Sequence, residues 1–392
     1  MIYLDNAATT KILPRVWNTM QPYFTRFYGN PDSPHLLGKE AREAVEMARV
    51  SVARMIGANS GMVIFTSGGT ESNNMVFNLA KNHMVNTIIT SSTEHKSVLE
   101  PARMSGAPSI RFLKPGKKGY ISADDLFPGE IPEGTLLSLM YMNNETGMIN
   151  DVYRIGQRLR QYENVDIFFH VDCVQAAGSA RINVEEMGAD MVSISSHKIH
   201  GPKGVGCLWV SDRVLDRIGD PKSLSVVSGG GQEQGFRAGT LNVSGIVGFG
   251  KAAEIASDTG FEIFDEFASH FVEELDKHCD DQSITYKVNW LSDVMHCNKV
   301  LSITFPMADA ETVVLIASRN GLCISAGAAC NSESSEPSYV LTNSGIKEDL
   351  ARATVRVSFS RYNSYADVTQ GAKILADTVS EVLRLNLTDA VV

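Results

Sequence analysis

Asp190-Met-Val-Ser-Ile-Ser-Ser-His-Lys-Ile-His-Gly-Pro-Lys-Gly-Val-Gly-Cys-Leu-Trp-Val210 holds two short apolar runs, Asp190–Ser195 and Gly204–Val210, around a turn of small and polar residues. Both runs read as buried strands, because each is short, apolar and bounded by turn signals. The turn between them carries His197 and Lys198. Upstream, strands are expected at Met62–Phe65, Thr87–Thr90, Thr135–Met142 and Val165–Val171, with helices at Glu71–Lys81 and Val152–Tyr162. Short apolar strands spaced by amphipathic helices indicate an α/β domain with a mostly parallel sheet. Such sheets bind ligands at the loops beyond their strand ends.

The glycine-rich turn Ser228-Gly-Gly-Gly231 interrupts this alternation. Helices follow at Val243–Ser257 and Phe264–Cys279, then a strand at Val300–Phe305 and a helix at Ala310–Arg319. A strand at Thr354–Phe359 and a closing helix at Ala366–Leu385 complete the pattern. The division expected is a large α/β domain over 12–259 and a smaller α+β domain made of 1–11 and 260–392.

A chain of 392 residues, 43% hydrophobic and 20% charged, can bury a full core without a metal or disulfide staple. Its formal net charge is −10 and no Lys/Arg block exceeds Lys117-Lys118, which argues against a nucleic-acid surface. The start Met1-Ile-Tyr-Leu-Asp5 has no basic stretch leading into an apolar one, so no signal peptide is read. No apolar run approaches the roughly 20 residues of a membrane span. A cytoplasmic protein is expected. The six cysteines form no C-x-x-C pair, so neither a zinc ribbon nor a thioredoxin-type motif is offered. Five of them read as small buried hydrophobes, Cys323 between Leu322 and Ile324 included.

Five segments carry chemistry. In Ser193-Ile-Ser-Ser-His-Lys198 a strand ends in hydroxyl residues followed by a lysine. That suits a Schiff base with a pyridoxal-phosphate (PLP) aldehyde, although a lysine in a loop also has a plain surface reading. In Phe169-His-Val-Asp172-Cys-Val-Gln175 an acid closes an apolar strand. A buried carboxylate needs a cationic partner, which a pyridine nitrogen would be; a helix cap is the structural alternative. Asp172 precedes Lys198 by 26 residues, about one strand–helix–strand step, so both can reach one sheet edge. Phe65-Thr-Ser-Gly-Gly-Thr70 places small residues before a helix, where free N–H groups favour a phosphate. It lacks both the Walker and the dinucleotide pattern. Thr93-Glu-His95 sets a flat ring just past a strand, and Asn143-Asn-Glu-Thr-Gly147 reads as a turn. Finally, Ser325-Ala-Gly-Ala-Ala-Cys330-Asn-Ser-Glu-Ser-Ser-Glu-Pro-Ser-Tyr339 surrounds a cysteine with small polar residues. Free cysteine is usually buried, so an exposed one on such a loop points to reaction.

Together these segments resemble the cysteine desulfurases of the class V aminotransferase group, in the iron–sulfur-cluster-assembly and nitrogen-fixation branch. The resemblance runs from Tyr3-Leu-Asp-Asn-Ala-Ala-Thr-Thr10 to Val355-Arg-Val-Ser-Phe359. It implies the PLP-dependent transferase fold type I, a homodimer, L-cysteine as substrate and a sulfur-acceptor protein as partner. It further implies that Lys198 carries PLP and shuttles protons, that His95 stacks on the ring and that Asp172 pairs with the ring nitrogen. Gln175 and Asn144 would serve the ring oxygen; Gly69, Thr70, Ser195 and His197 would cradle the phosphate. Thr240 would reach the phosphate of a second subunit. Arg356, aided by Asn30 and Asn144, would hold the substrate carboxylate, and Cys330 would take the sulfur as a persulfide.

The sequence departs from the family's usual strings at Ser196, Gln232, Cys173-Val174 and the residues around Cys330. It also ends soon after Leu385. Those departures leave iron–sulfur assembly, tRNA thiolation and DNA phosphorothioate modification open as pathways. A selenocysteine lyase, a kynureninase-like enzyme or an aminotransferase would share the fold, and Cys330 argues against the last two. A non-PLP nucleotide-binding oxidoreductase lacks its fingerprint here. A non-catalytic binding protein would not need Lys198, Asp172, His95 and Cys330 together.

Overall fold

The computed structural model describes residues 1–82, 84–126, 131–162, 166–257, 260–290, 295–327 and 336–389. A short strand β1 (Ile2–Tyr3) opens the chain. Then come β2 (Met62–Thr66), β3 (Thr87–Ser91), β4 (Ser109–Leu113) and β5 (Thr135–Met140). They are followed by β6 (Ile167–Asp172), β7 (Met191–Ser195) and β8 (Gly206–Val210). The seven strands from β2 to β8 form one sheet in the order β2-β8-β7-β6-β5-β3-β4. All neighbours are parallel except β8, which runs antiparallel to both β2 and β7. This is the mostly parallel sheet expected from the run of short apolar strands.

The central strands are buried on both faces, as sheets covered by helices must be. Every residue of β5, β6, β7 and β8 is buried. One covering layer pairs the helix Leu36–Met55 with the helix Val243–Ser257. Small residues allow this contact: a Cβ on Gly250 would lie 2.6 Å from Ala48 Cα.

The buried histidine inside the sheet is satisfied there, whereas the buried Thr90 Oγ1 of β3 has no partner among the described residues. His170 in β6 is fully buried, with Nδ1 2.8 Å from Ser138 Oγ and Nε2 2.9 Å from Ser193 Oγ. Burial pushes its pKa down to about 3. In the unfolded chain the imidazole titrates near pH ~6.5. Between those values the unfolded chain binds a proton that the folded chain refuses. Stability is therefore intact above pH ~6.5 and falls as the pH drops toward 3. The expected slope from this residue is about 1.4 kcal/mol per pH unit. Urea midpoints at neutral and mildly acidic pH check it: His170→Gln should lose less stability on acidification than the native chain does.

A second group of strands follows: β9 (Lys287–Asn289), β10 (Val300–Thr304), β11 (Leu322–Cys323), β12 (Ser325–Ala326) and β13 (Thr354–Ser358). Four of them form an antiparallel sheet in the order β12-β13-β10-β9, while β11 pairs with β1 in parallel. The helices Ile263–Asp281 and Tyr365–Asp389 pack on one another beside this sheet. Their apolar faces and the sheet enclose a separate core that includes Phe267, Phe271, Leu301, Val357, Leu375 and, from the N-terminus, Leu4. Cys173, Cys207, Cys279 and Cys297 are buried, whereas Cys323 is only half-buried. Among the described residues its strand pairs only with β1.

The N-terminal segment is pinned to the second sheet and to the turn after β7 by both backbone and side-chain hydrogen bonds. Asn6 N–H donates to Ser358 O at 3.3 Å, and Ser358 N–H donates to Leu4 O at 2.8 Å. Thr10 Oγ1 donates to His197 O at 2.8 Å. Residues 5–10 thereby cross the C-terminal ends of β6 and β7, where the site lies.

Candidate active site

The C-terminal ends of the parallel strands surround a cavity of about 260 Å³. Gly69, Thr70, His95, Asn144, Asp172, Gln175, Ser195, His197, Lys198 and Arg356, all singled out from the sequence, line it. Each arrives on the element that its local sequence builds. Asp172 closes β6 and Ser195 closes β7. Lys198 lies in the single 3-10 turn Ser196–Lys198 that links β7 to the antiparallel β8. Gly69 and Thr70 begin the helix Gly69–Lys81, whose first N–H groups favour an anion. A Cβ at Gly69 would lie 2.7 Å from Val174 Cγ2, so only glycine leaves that wall open.

Asp172 is 5% exposed and well held. Val174 N–H donates to Oδ1 at 2.9 Å and Asn73 Nδ2 to Oδ2 at 2.8 Å. No cationic side chain among the described residues forms an ion pair with it. Asn73 Nδ2 also donates to Ser97 Oγ at 2.9 Å, and Ser97 Oγ lies 2.8 Å from His95 Nδ1. A single amide therefore ties the carboxylate to the imidazole. His95 is the N-cap of the helix Lys96–Met104, and its Nδ1 accepts the Ser97 N–H at 3.1 Å. An acceptor Nδ1 places the ring proton on Nε2. Burial lowers the His95 pKa against the opposing pull of Asp172, and Lys198 and Lys96 lower it further. The imidazole is thus neutral.

Lys198 Nζ donates to Ala8 O at 3.0 Å and to Ala7 O at 2.5 Å. Gln175 Nε2 donates to Ala7 O at 2.8 Å, while its buried Oε1 has no partner. His197 Nδ1 lies 3.1 Å from Thr9 Oγ1, and burial with Lys198 and Lys203 nearby pushes its pKa down to about 4. Arg356 is 2% exposed. Its Nη1 donates to Asn144 O at 2.9 Å and its Nη2 pairs with Asp5 Oδ1 at 2.8 Å. Its Nε is buried without a partner.

Three expected residues stand apart from this cluster. Asn30 is exposed and does not line the cavity; its Oδ1 accepts the Asp32 N–H at 3.0 Å. Thr240 is exposed, on a segment anchored by the Arg237–Glu71 ion pair at 2.9 Å. Cys330 lies outside the described residues. Its flanks do not: Ser325 Oγ donates to Asp5 Oδ1 at 2.8 Å, and Ser338 Oγ donates to the buried Glu145 Oε2 at 2.5 Å.

Sequence reasoning missed several lining residues, among them Asn73, Ser97, Met140 and Met142, and the cover provided by Ala7 and Ala8. It also gave no role to Glu94, which is fully buried and whose Oε1 accepts the Met140 N–H at 2.9 Å. Burial raises that carboxyl's pKa well above the usual range, and the charge of Asp172 adds to the rise. Only Asn73 had a readable signal, since it falls one helical turn after Gly69 and so returns to the same face.

A lysine, a strand-end carboxylate, a neutral imidazole and a helix N-terminus thus surround one cavity at the strand ends of an α/β sheet. The aminotransferase class-V family model matches residues 2–370. The cysteine desulfurase IscS of Dictyoglomus turgidum is 37% identical over 391 residues, covering 98% of this chain and 95% of that protein. Among solved structures, a NifS-like protein superposes with a TM-score of 0.82 at 30% identity, over 98% of this chain and 99% of that one. SspA in complex with cysteine superposes with a TM-score of 0.76 at 31% identity, over 93% of this chain and 100% of that one. The chain belongs to the class V aminotransferase family and, within it, to the cysteine desulfurases.

Proposed function

We propose that this chain binds PLP in the cavity around Lys198 and converts L-cysteine to alanine, leaving the sulfur as a persulfide on Cys330. The observation that carries the reading is the convergence of Lys198, Asp172, His95 and Arg356 on one cavity. The residues fit the cofactor. Asp172 is a buried carboxylate without a cationic partner, which a protonated pyridine nitrogen would supply. The partnerless Gln175 Oε1 and Asn73 Oδ1 are polar atoms in need of hydrogen bonds. Gly69, Thr70, Ser195 and His197 would hold the phosphate, with Thr240 of a second subunit added in a homodimer.

When bound, PLP supplies an electron sink for charge that develops at the carbon bearing the amino group. The chain's own residues do the rest. Asp172 would keep the ring nitrogen protonated, and Asn73 fixes that carboxylate. His95 would cover the ring face as a neutral imidazole, held by Ser97. Arg356 would clamp the substrate carboxylate, aided by Asn144 and by Asn30 if the latter moves inward. Lys198 would carry the cofactor at rest, then take the proton from the substrate Cα and return it. The Cys330 thiolate would attack the substrate sulfur: an S–S bond forms, the substrate C–S bond breaks, and its electron pair ends in alanine. The complex of the similar SspA with cysteine supports that substrate. Ser325, which precedes Cys330 by five residues, hydrogen-bonds Arg356 Nη2 at 3.2 Å, so the chain enters the cysteine segment beside the carboxylate clamp. A sulfur-acceptor protein would then remove the sulfur.

The division into 12–259 and 1–11 plus 260–392 is part of the same proposal, supported by the separate core around Phe267 and Phe271. No helix among the described residues is long and apolar enough to cross a membrane. Borohydride reduction of the purified protein, followed by peptide mapping, tests the cofactor site: the label should fall on Lys198, and a label elsewhere would overturn the assignment. Replacing Arg356 by lysine keeps the charge but removes the planar fork. It should raise KM for L-cysteine by about tenfold while changing kcat less, as steady-state kinetics would read.

A further inference from the structure

Behind the turn that carries Lys198 lies a second, much smaller cavity of about 20 Å³. Lys299, Arg361 and His200 line it with Ser360 and Phe359, as does Lys198, whose Nζ is engaged by the Ala7 and Ala8 carbonyls. It lies where the two cores meet. Gly178, Ser179 and His200 come from the connections around the large sheet, whereas Lys299 precedes β10 and Ser360–Arg361 follow β13.

The charges here are of one sign. Lys299 is only 3% exposed, and its Nζ donates to Ser179 Oγ at 2.7 Å. An ammonium has three protons to give, and no second acceptor appears among its hydrogen bonds. Arg361 Nη2 donates to Gly178 O at 2.8 Å. Neither Lys299 nor Arg361 forms an ion pair with a carboxylate among the described residues, and none lines the cavity. His200 Nδ1 donates to Lys11 O at 2.9 Å, which leaves Nε2 to accept from Ser360 Oγ at 2.9 Å. Burial pushes the His200 pKa down to about 4, so the imidazole is neutral and supplies no compensating charge. Burial lowers the Lys299 pKa to about 8, with Cys297 opposing and Arg361 adding to the drop.

Lys299 is a buried cation without a counter-charge among the described residues, and the partly exposed Arg361 adds a second positive charge at the same cavity, a cost that a small anion there would offset. A space of this size accommodates a single small particle. We propose that it binds one monovalent inorganic anion of halide size, held between Lys299 Nζ and the Arg361 guanidinium. The anion joins the second sheet to the turn that carries Lys198, and so stabilises the pairing of the two parts. The site does not depend on the desulfurase reading.

Bromide is the probe. Crystals of the full chain grown or soaked in bromide should show an anomalous peak in contact with Lys299 Nζ and Arg361. A cavity that holds only water under those conditions would overturn the proposal. In solution at equal ionic strength, replacing gluconate by chloride should raise the thermal midpoint of the native chain by about 2 °C. Lys299→Met should lose at least half of that rise, and Arg361→Gln gives the same comparison if the first variant does not fold. Equal responses of native and variant chains would overturn the proposal even with a bromide peak, because binding would then occur at crystal concentration only.

Discussion

Lys198→Ala should lose the visible absorbance of lysine-bound cofactor and at least about 10³-fold of the rate of sulfur release from L-cysteine. The size follows from the two duties that one amine holds. Its Nζ sits against the Ala7 and Ala8 carbonyls, on the cavity wall shared with Asp172 and Gln175. No other lysine lines that cavity, so no other amine among the described residues can take over either the covalent link or the proton transfer. The strand β7, the turn and β8 do not need the amine for their packing, because all of β7 and β8 is buried backbone and apolar side chain apart from serines. The variant should therefore keep its far-ultraviolet dichroism while losing colour and turnover. Retained turnover would mean that another base serves the reaction.

Cys330→Ser should separate cofactor chemistry from sulfur transfer. The colour and its change on adding L-cysteine should persist, because none of the described residues that line the cavity is altered. Sulfide release should fall by about 10³-fold, since a hydroxyl is a far weaker nucleophile toward sulfur than a thiolate. Mass spectrometry of the native chain after one turnover without reductant should find one added sulfur on the peptide containing Cys330, and none on the serine variant. A native rate in the variant would remove the persulfide step from the scheme.

The sequence carried six of the seven strands of the large sheet, but not the half-exposed edge strand β4 (Ser109–Leu113), and the helical cover only unevenly. The helices Val243–Ser257 and Ala310–Arg319 fall at the bounds read from the sequence, the first because it is a long, largely apolar run and the second because Asp309 caps it. The 20-residue helix Leu36–Met55 was not read at all. Its buried positions, Gly38, Ala41, Ala44, Val45, Ala48 and Val52, recur at helical spacing, but half of them are alanine, which marks an apolar face less plainly than larger side chains do. At the site, Lys198 and Asp172 stood out because their chemistry contradicts their position, a lysine in a tight turn and an acid at the end of an apolar strand, whereas Gln175, Asn144 and Arg356 were placed only by the family resemblance. Residues that act through contacts were not legible. Asn73 reads as one more polar residue in a helix until the fold places it between Asp172 and Ser97. The roles of Ala7 and Ala8 rest on carbonyls, which every residue has. Lys299 and Arg361 looked like ordinary charges, because their mutual approach depends on how the two cores meet.

The most direct test of the central claim is product analysis. Purified protein is incubated with L-cysteine and a reductant, and alanine and sulfide are measured in the same sample. Equal amounts of alanine and sulfide are the predicted result. Sulfide accompanied by pyruvate and ammonia, with no alanine, would mean elimination rather than desulfuration and would contradict the account.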